Sequence, residues 1–408
     1  MQRLGGAAIL MKNAEVIYLS GDEISRIKPL EPFNDTVCEF FAELSKRLQK
    51  DREALNYPDV LSFAFYCRKG NIAKIKQQLN IQELRIGKGL IFHIAPSNVP
   101  VNFAFTYLFG MLAGNANVVR VSTKDFPQVK IICRVMNELF QNEKYDIIKE
   151  HTAIIQYAHN KEVTDFFSSK ADIRVIWGGD STINEIRKSP IPSRCTEVTF
   201  ADRYSFGIFD VNTILNESEE DLKKIADGFY NDTYLMDQNA CSTPHMIFWR
   251  SNGSTTDFLN AQERFWKAVN SSAKKYDLAD IKVSDKYVAL CKAAIDLKAD
   301  FEVTTYDNLL YVLSLKNAPM QIEQLRGKYG MFYQWEIHDL EEICPLITNT
   351  VQTCVVHGIN KADIGRMIVK NNLTGIDRIV PVGHSLDIGV IWDGYDLIRQ
   401  FTRIVHTF

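Results

Sequence analysis

Apolar positions in this chain recur with two periods, and the periods change along its length. Between Asn34 and Leu48 the residues Val37, Phe40, Phe41, Leu44 and Leu48 share one side of a helix, and Pro58–Cys67 and Ile72–Leu79 continue in the same manner. The residues before Asn34 lack such order, so the first 88 residues read as an irregular start followed by helices. From residue 89 short continuous apolar runs alternate with helical stretches. Residues 90–95, 117–122, 152–158 and 172–177 read as buried strands, with helices at 101–113, 127–140 and 161–169 between them. The 127–140 helix turns Val129, Ile132, Val135, Met136 and Leu139 inward. This βαβαβ order predicts an α/β fold: a mostly parallel sheet with helices on both faces. Such sheets bind ligands beyond the carboxyl ends of their strands. The loops 96–100, 122–125 and 178–182 all follow strands and would converge on one crevice.

A strand at 205–210 opens a second α/β unit. Ser218 and Asp221 start a helix whose Leu222, Ile225, Ala226 and Phe229 repeat at helical spacing. The polar loop Asp237-Gln238-Asn239-Ala240-Cys241-Ser242-Thr243-Pro244 follows, and then the strand-like run 245–249. Near the end come an apolar strand at 379–382, the segment 391–395 and a final amphipathic helix.

Candidate chemistry sits on the loops. Cys241, on a polar loop between two buried elements, is placed for nucleophilic attack through its thiolate; the same pattern also fits an ordinary half-buried cysteine. Asn98, between Pro96 and Pro100, lies on a rigid turn and can donate two amide hydrogen bonds. It either stabilises its own turn or forms half of an oxyanion hole with the Cys241 N–H. Arg120, Ser122, Thr123 and Lys124, at a strand end, suit a phosphate or ribose, or are merely solvated. Gly178, Gly179 and Ser181 open a helix whose N–H groups favour an anion, or form a plain βα turn. His245, four residues after Cys241, is either a base or part of the following strand. Gly383-His384-Ser385-Leu386-Asp387 half-matches a hydrolase nucleophile elbow, but Asp387 stands where a small residue is required. Cys344, Cys354 and His357 fit no standard zinc spacing, so no metal is expected.

Composition narrows the classes further. The 408 residues are 46% apolar and 24% charged, which suits a globular chain of two or three domains. A net charge of −3 with no basic block argues against nucleic acid. Eight scattered cysteines without a CxxC pair point to a reducing cytosol rather than a disulfide scaffold. Leu4–Met11 is too short for a signal sequence, and the longest apolar run, Val101–Gly114, is too short to cross a bilayer. A cytoplasmic protein without a membrane span is expected.

In this order, Asn98 between prolines, Asn115–Ser122, Gly178-Gly179 and Gln238-Asn239-Ala240-Cys241 resemble the aldehyde dehydrogenase superfamily. Gly375-Ile376-Asp377-Arg378-Ile379-Val380-Pro381-Val382-Gly383 and Ile391-Trp392-Asp393-Gly394-Tyr395-Asp396-Leu397 are similar to segments of its LuxC-type acyl-CoA reductases, the branch known from bacterial luminescence. The resemblance covers roughly residues 60–408. It implies an N-terminal helical segment (1–88) packing on the core, a Rossmann-type nucleotide-binding domain (89–204), a catalytic domain carrying the nucleophile (205–385) and a C-terminal tail (386–408). It also implies that Cys241 is the nucleophile and Asn98 the oxyanion-hole amide. Arg120 stands where the superfamily has a ribose-binding lysine. Thr123 replaces the acid of NAD-preferring members and Lys124 follows it, which favours NADP(H), with NAD(H) the alternative. Ser122, Gly178, Gly179 and Ser181 complete the cofactor set, and Glu342 matches the glutamate that holds the nicotinamide ribose. Phe200 aligns with the water-activating glutamate of hydrolytic members, and Glu197 is three residues away.

The implied activity is reduction of an acyl-CoA or carrier-bound acyl group to an aldehyde by NADPH through a thioacyl-cysteine. The alternatives are NAD(P)-dependent oxidation of an aldehyde, with Glu197 or another carboxylate as base, and an acyl-transfer subunit of a reductase complex. The implied partners are the acyl thioester, an acyl-transferring synthetase and further copies of the chain.

Overall fold

A computed structural model describes residues 8–11, 14–25 and 27–407. The start of the apolar run Leu4–Met11 lies outside the described residues. The chain divides into two compact units, one of residues 1–201 with 390–408 and the other of residues 202–389.

The first unit holds strands β1 (Ala8–Met11), β2 (Ala14–Gly21), β3 (Arg85–Gly87), β4 (Leu90–Ile94), β5 (Ala116–Val121), β6 (Thr152–Gln156), β7 (Ile173–Trp177) and β8 (Thr196–Phe200). Its helices are α1 (Asp35–Leu48), α2 (Pro58–Tyr66), α3 (Lys69–Leu79), α4 (Asn102–Leu112), α5 (Pro127–Leu139), α6 (Asp146–Glu150), α7 (Lys161–Lys170) and α8 (Asp180–Ile186). The sheet runs β1-β2-β6-β5-β4-β7-β8, parallel from β6 to β8. All five residues of β4 and of β7 are buried, as a sheet covered on both faces requires. Every residue of α4 is buried as well. Gly110 lets this helix approach the sheet, since a Cβ there would overlap Asn117 Oδ1. Beneath it the buried His93 bridges Thr106 Oγ1 (2.8 Å) and Asn117 Oδ1 (2.9 Å). Burial pushes the His93 pKa down to about 4, so the imidazole there is neutral.

Both ends of this unit differ from the sequence expectation. The start is not irregular: β2 pairs antiparallel with β6 and with β1. Near the end, a strand pair β16 (Ile391–Trp392) and β17 (Tyr395–Asp396) follows the second unit. The expected final helix is the single turn α14 (Leu397–Gln400), after which β18 (Thr402–Ile404) pairs with β3. Asn115 fastens this end, because its Nδ2 donates to Phe401 O at 3.0 Å while its Oδ1 accepts from Gly89 N at 3.0 Å. That residue of the Gly114–Lys124 stretch is structural.

The second unit holds β9 (Tyr204–Asp210), β10 (Pro244–Arg250), β11 (Phe301–Tyr306), β12 (Leu310–Leu315), β13 (Met331–Ile337), β14 (Val351–His357) and β15 (Arg378–Pro381). Its helices are α9 (Val211–Asn216), α10 (Glu219–Thr233), α11 (Thr255–Ala273), α12 (Asp280–Asp296) and α13 (Lys361–Lys370). The sheet order is β11-β12-β13-β10-β9-β14-β15, with only β11 antiparallel to its neighbour. Alternate residues of β10 feed opposite cores. Met246 and Phe248 join Phe206, Ile208 and Tyr333 on one face, and Ile247 and Trp249 join Phe229, Phe265 and Trp266 on the other. Among the described residues no helix is long and apolar enough to cross a membrane.

Candidate active site

The helix read around Ser218 is α10. The Ser218 hydroxyl caps Asp221 N at 3.1 Å, and Leu222, Ala226 and Phe229 are buried. The helix ends at Thr233 and a tight turn, Tyr234–Met236, leads into the cysteine loop. Two consecutive residues, Asp237 (φ 53°) and Gln238 (φ 58°), then take the left-handed conformation. Neither is glycine, and such residues each cost on the order of 1 kcal/mol or more and persist only where the surroundings hold them. The surroundings here do so. Gln238 is buried, its Oε1 accepts from Gly330 N and Met331 N (3.2 Å), and its Nε2 donates to Met331 O at 3.1 Å. The Asp237 carboxylate accepts from Tyr276 Oη and from Lys282 Nζ (2.9 Å).

Cys241 itself is half-buried. Its carbonyl accepts a hydrogen bond from the buried Ser205 hydroxyl at 2.7 Å, and that hydroxyl accepts from Thr353 N at 3.1 Å. Ser205 therefore ties the cysteine loop to β9 and β14. On the far side of Cys241, Thr243 Oγ1 donates to Asp232 O at 2.9 Å. Gln238, Ser205 and Asp232 are supports of this loop that sequence reasoning missed, and no local signal marks them because their partners lie far away in the chain.

Asp232 explains the segment set aside as a false nucleophile elbow. Its carboxylate accepts from Gly383 N (2.6 Å) and Ser385 N (2.8 Å), and Ser385 is fully buried. Gly383 has φ 90° and passes so close to Gly228 of α10 that a Cβ there would lie 3.1 Å from the Gly228 Cα. The segment is a clip on the base of the cysteine loop. Burial raises the Asp232 pKa to about 6 despite the backbone hydrogen bonds that oppose the shift. This folded value lies above the unfolded value of about 4. The part of its stability that is linked to protonation is thus full below about pH 4 and lost as pH rises through about 6, while the two accepted backbone bonds remain. Asp232→Ala is expected to lower unfolding free energy by roughly 2–4 kcal/mol at pH 7, since two N–H groups lose their partner. It should also flatten the pH dependence of urea unfolding in that window. An unchanged midpoint and slope would remove the clip.

His245 does not serve the cysteine. It is buried against the Tyr204 ring, 5.6 Å between centroids, and its Nδ1 has no hydrogen-bond partner. Burial, with the Arg326 charge adding to it, pushes its pKa down to about 3, too low for a base that must take a thiol proton.

Glu342 lies elsewhere. Its Oε1 accepts from His338 N and Asp339 N, both at 2.7 Å, in a capping box just beyond the carboxyl end of β13. Cys241 precedes the amino end of β10, which is parallel to β13. Seven-residue strands span about 20 Å, so the two residues stand at opposite ends of one sheet. The structure does not bring Glu342 to Cys241.

In the first unit the loops behave as expected of a doubly wound sheet. Strand order reverses between β4 and β7, and the loops after these strands, 95–100 and 178–182, flank that switch point. Asn98 is exposed there, and its side chain makes no hydrogen bond among the described residues, so it does not stabilise its own turn. The neighbouring loop after β5 joins it: Lys124 Nζ donates to Ser97 O at 3.2 Å, and the Ser122 hydroxyl accepts from Lys124 N at 3.2 Å. Arg120 lies 5.1 Å over the Tyr157 ring, and its buried Nε has no hydrogen-bond partner. Thr123, Gly179 and Ser181 are exposed and Gly178 half-buried.

Phe200 and Glu197 point to opposite faces of β8, being three residues apart. Phe200 is buried and stacked on Trp177 at 3.7 Å. Glu197 pairs with the buried Arg174 (2.8 Å to Nε) and with Arg187 (2.7 Å). Burial alone would raise its pKa, but these guanidinium groups hold it below the usual carboxylate range. Among the described residues no group of three or more His, Cys, Asp or Glu side chains converges to hold a metal ion.

Comparison with known proteins gives this geometry its context. The lactaldehyde dehydrogenase structure superposes with a TM-score of 0.61 at 9% identity, over 90% of this chain and 86% of that one. An NAD-dependent benzaldehyde dehydrogenase from Corynebacterium glutamicum gives a TM-score of 0.58 at 14% identity, over 91% and 84%. The fold is therefore that of the aldehyde dehydrogenases. In sequence, the chain is 22% identical over 333 residues to long-chain acyl-protein thioester reductase 2 of Photobacterium leiognathi, covering 78% of this chain but 63% of that protein. It thus spans about six-tenths of that relative's length. The family model described as acyl-CoA reductase (LuxC) matches residues 69–404, and the chain belongs to that family.

Proposed function

We propose that the protein reduces a long-chain acyl thioester to an aldehyde through an acyl group carried on Cys241. The observation that carries this proposal is the cysteine loop itself: two left-handed residues held by Gln238 and Asp237, with the Cys241 carbonyl fixed by Ser205. The Cys241 thiolate attacks the thioester carbonyl, a C–S bond forms to Cys241, and the bond to the donor thiol breaks. Asn98, with a free side-chain amide, donates to the oxyanion. Return of the aldehyde regenerates the thiolate.

A nicotinamide cofactor, when bound, supplies the hydride that takes the acyl carbon to the aldehyde level. The carboxyl-end loops of the first unit fit such a group. Arg120, whose buried Nε has no partner, and the Lys124 ammonium would hold a phosphate or ribose, and Gly179 leaves open space where a Cβ would stand. Lys124, together with the neutral Thr123, favours the 2′-phosphate of NADP(H) over NAD(H). Ser122, Gly178 and Ser181 line the same loops, and Glu342 takes no part. The acyl donor is CoA or an acyl carrier, and a partner that loads acyl groups onto the chain is compatible with either. The test is consumption of reduced nicotinamide with acyl-CoA and acyl-carrier panels of increasing chain length, with the aldehyde trapped. Thioester-dependent consumption with aldehyde formed supports the proposal; acyl transfer to Cys241 without consumption would replace reduction by acyl transfer.

Oxidation of a free aldehyde to the acid needs a carboxylate to activate water, and Glu197 has both oxygens committed to arginines. Glu197→Gln is expected to leave reductase turnover per folded molecule within about twofold of wild type. It should lower stability by roughly 1–3 kcal/mol, because the buried Arg174 loses its anion. Formation of acid from a free aldehyde that Glu197→Gln abolishes at unchanged stability, measured by parallel unfolding and rate assays, would restore Glu197 as the base.

A further inference from the structure

Helix α12 (Asp280–Asp296) is fixed on one side and unclaimed on the other. Its inner face carries Ala293 into the core, and the buried Lys286 donates to Tyr329 O at 2.9 Å. Lys282 on the same side holds Asp237, so the orientation of the helix is set by several independent contacts. The outer face is nonetheless apolar. Ile281 is 68% exposed, Val288 65% and Ile295 77%. These three residues are spaced seven apart, so they form one narrow stripe along the helix, the pattern of a helix–helix seam.

Charge placement selects the occupant. Asp285 and Lys292 flank the stripe on one side, and neither is in an ion pair among the described residues. Laid antiparallel against itself about a two-fold axis at Val288, the helix places Ile281 against the partner's Ile295 and Val288 against the partner's Val288. In an antiparallel pair each flank faces the same flank of its mate. Asp285 then meets the partner's Lys292, and Lys292 meets the partner's Asp285. The stripe and its charges are thus complementary to themselves, as a two-fold interface requires.

We propose that a second copy of this chain docks on α12, antiparallel and centred on Val288. A helix of this length, about 25 Å, covers less than the roughly 800 Å² per partner of a stable complex. The dimer is therefore a concentration-dependent one. Residues of the outer face touch none of the groups that hold the cysteine loop, so substitutions there test pairing without disturbing the site.

The experiment is sedimentation of the full chain across a concentration series. Wild type should show a monomer–dimer equilibrium that Val288→Glu weakens at least about tenfold. Asp285→Lys should weaken it too, and the double exchange Asp285→Lys with Lys292→Asp should recover it. In a Cys291→Ser background, Val288→Cys should give a covalent dimer under mild oxidation. A chain that stays monomeric throughout, or a dimer indifferent to Val288→Glu, overturns the proposal and leaves the stripe to a different partner. Failure of the double exchange to recover pairing overturns the antiparallel register.

Discussion

Cys241→Ala will leave less than about one-thousandth of wild-type aldehyde formation while the reduced nicotinamide still binds near its wild-type affinity. The loop supports this separation. Gln238, Asp237, Thr243 and Ser205 hold it through bonds that do not use the Cys241 thiol, so the alanine variant should keep the loop and the fold. What disappears is the nucleophile, and with it the covalent acyl group. Mass spectrometry after exposure to an acyl thioester should find the adduct on wild type and none on the variant, and quenching of the intrinsic fluorescence by NADPH should be alike for both. Turnover that persists in the alanine variant would mean that hydride reaches the donor thioester directly, and the covalent route would fall.

The supports of that loop show which parts of a site sequence can and cannot reveal. The loop that carries Cys241 was visible because a polar stretch interrupts two apolar elements, and α10 because its inward residues repeat at helical spacing and a serine caps it. The parallel strands β4 to β7 were visible for a related reason: strands buried on both faces read as short, unbroken apolar runs. Asp232, Ser205 and Gln238 look like ordinary polar residues in the chain. Each acquires its role from a partner 92 to 153 positions away: Gly330 for Gln238, Thr353 for Ser205, and Ser385 for Asp232. The chain ends were misread for the same physical reason. The strands β2 and β18 owe their form to pairing with β6 and β3, and residue spacing carries no trace of a non-local ladder. Glu342 failed differently. Its spacing matched a family pattern, but its carboxylate closes a capping box at the opposite end of the sheet from Cys241.

Asn98→Ala is expected to lower kcat by about 10²- to 10³-fold, with KM for the acyl thioester changed little. The amide does its work in the transition state rather than on the bound substrate. A thioester carbonyl carries little negative charge in the ground state and gains a full one as the thiolate adds, so a fixed donor stabilises the transition state far more than the bound substrate. Pro96 and Pro100 limit the backbone freedom of the loop that carries the amide. A competing role, bracing the turn by bonding to its own backbone, would give a different signature: lower stability and a modest, uniform loss of activity. The structure leaves the Asn98 amide without an intramolecular partner, exposed at the point where strand order reverses between β4 and β7. Thermal unfolding of the variant should therefore match wild type. Acylation of Cys241, followed in single turnovers, should slow by the same factor as kcat if attack on the thioester limits the rate. A destabilised variant with normal kcat per folded molecule would return Asn98 to the turn and leave the oxyanion to other donors.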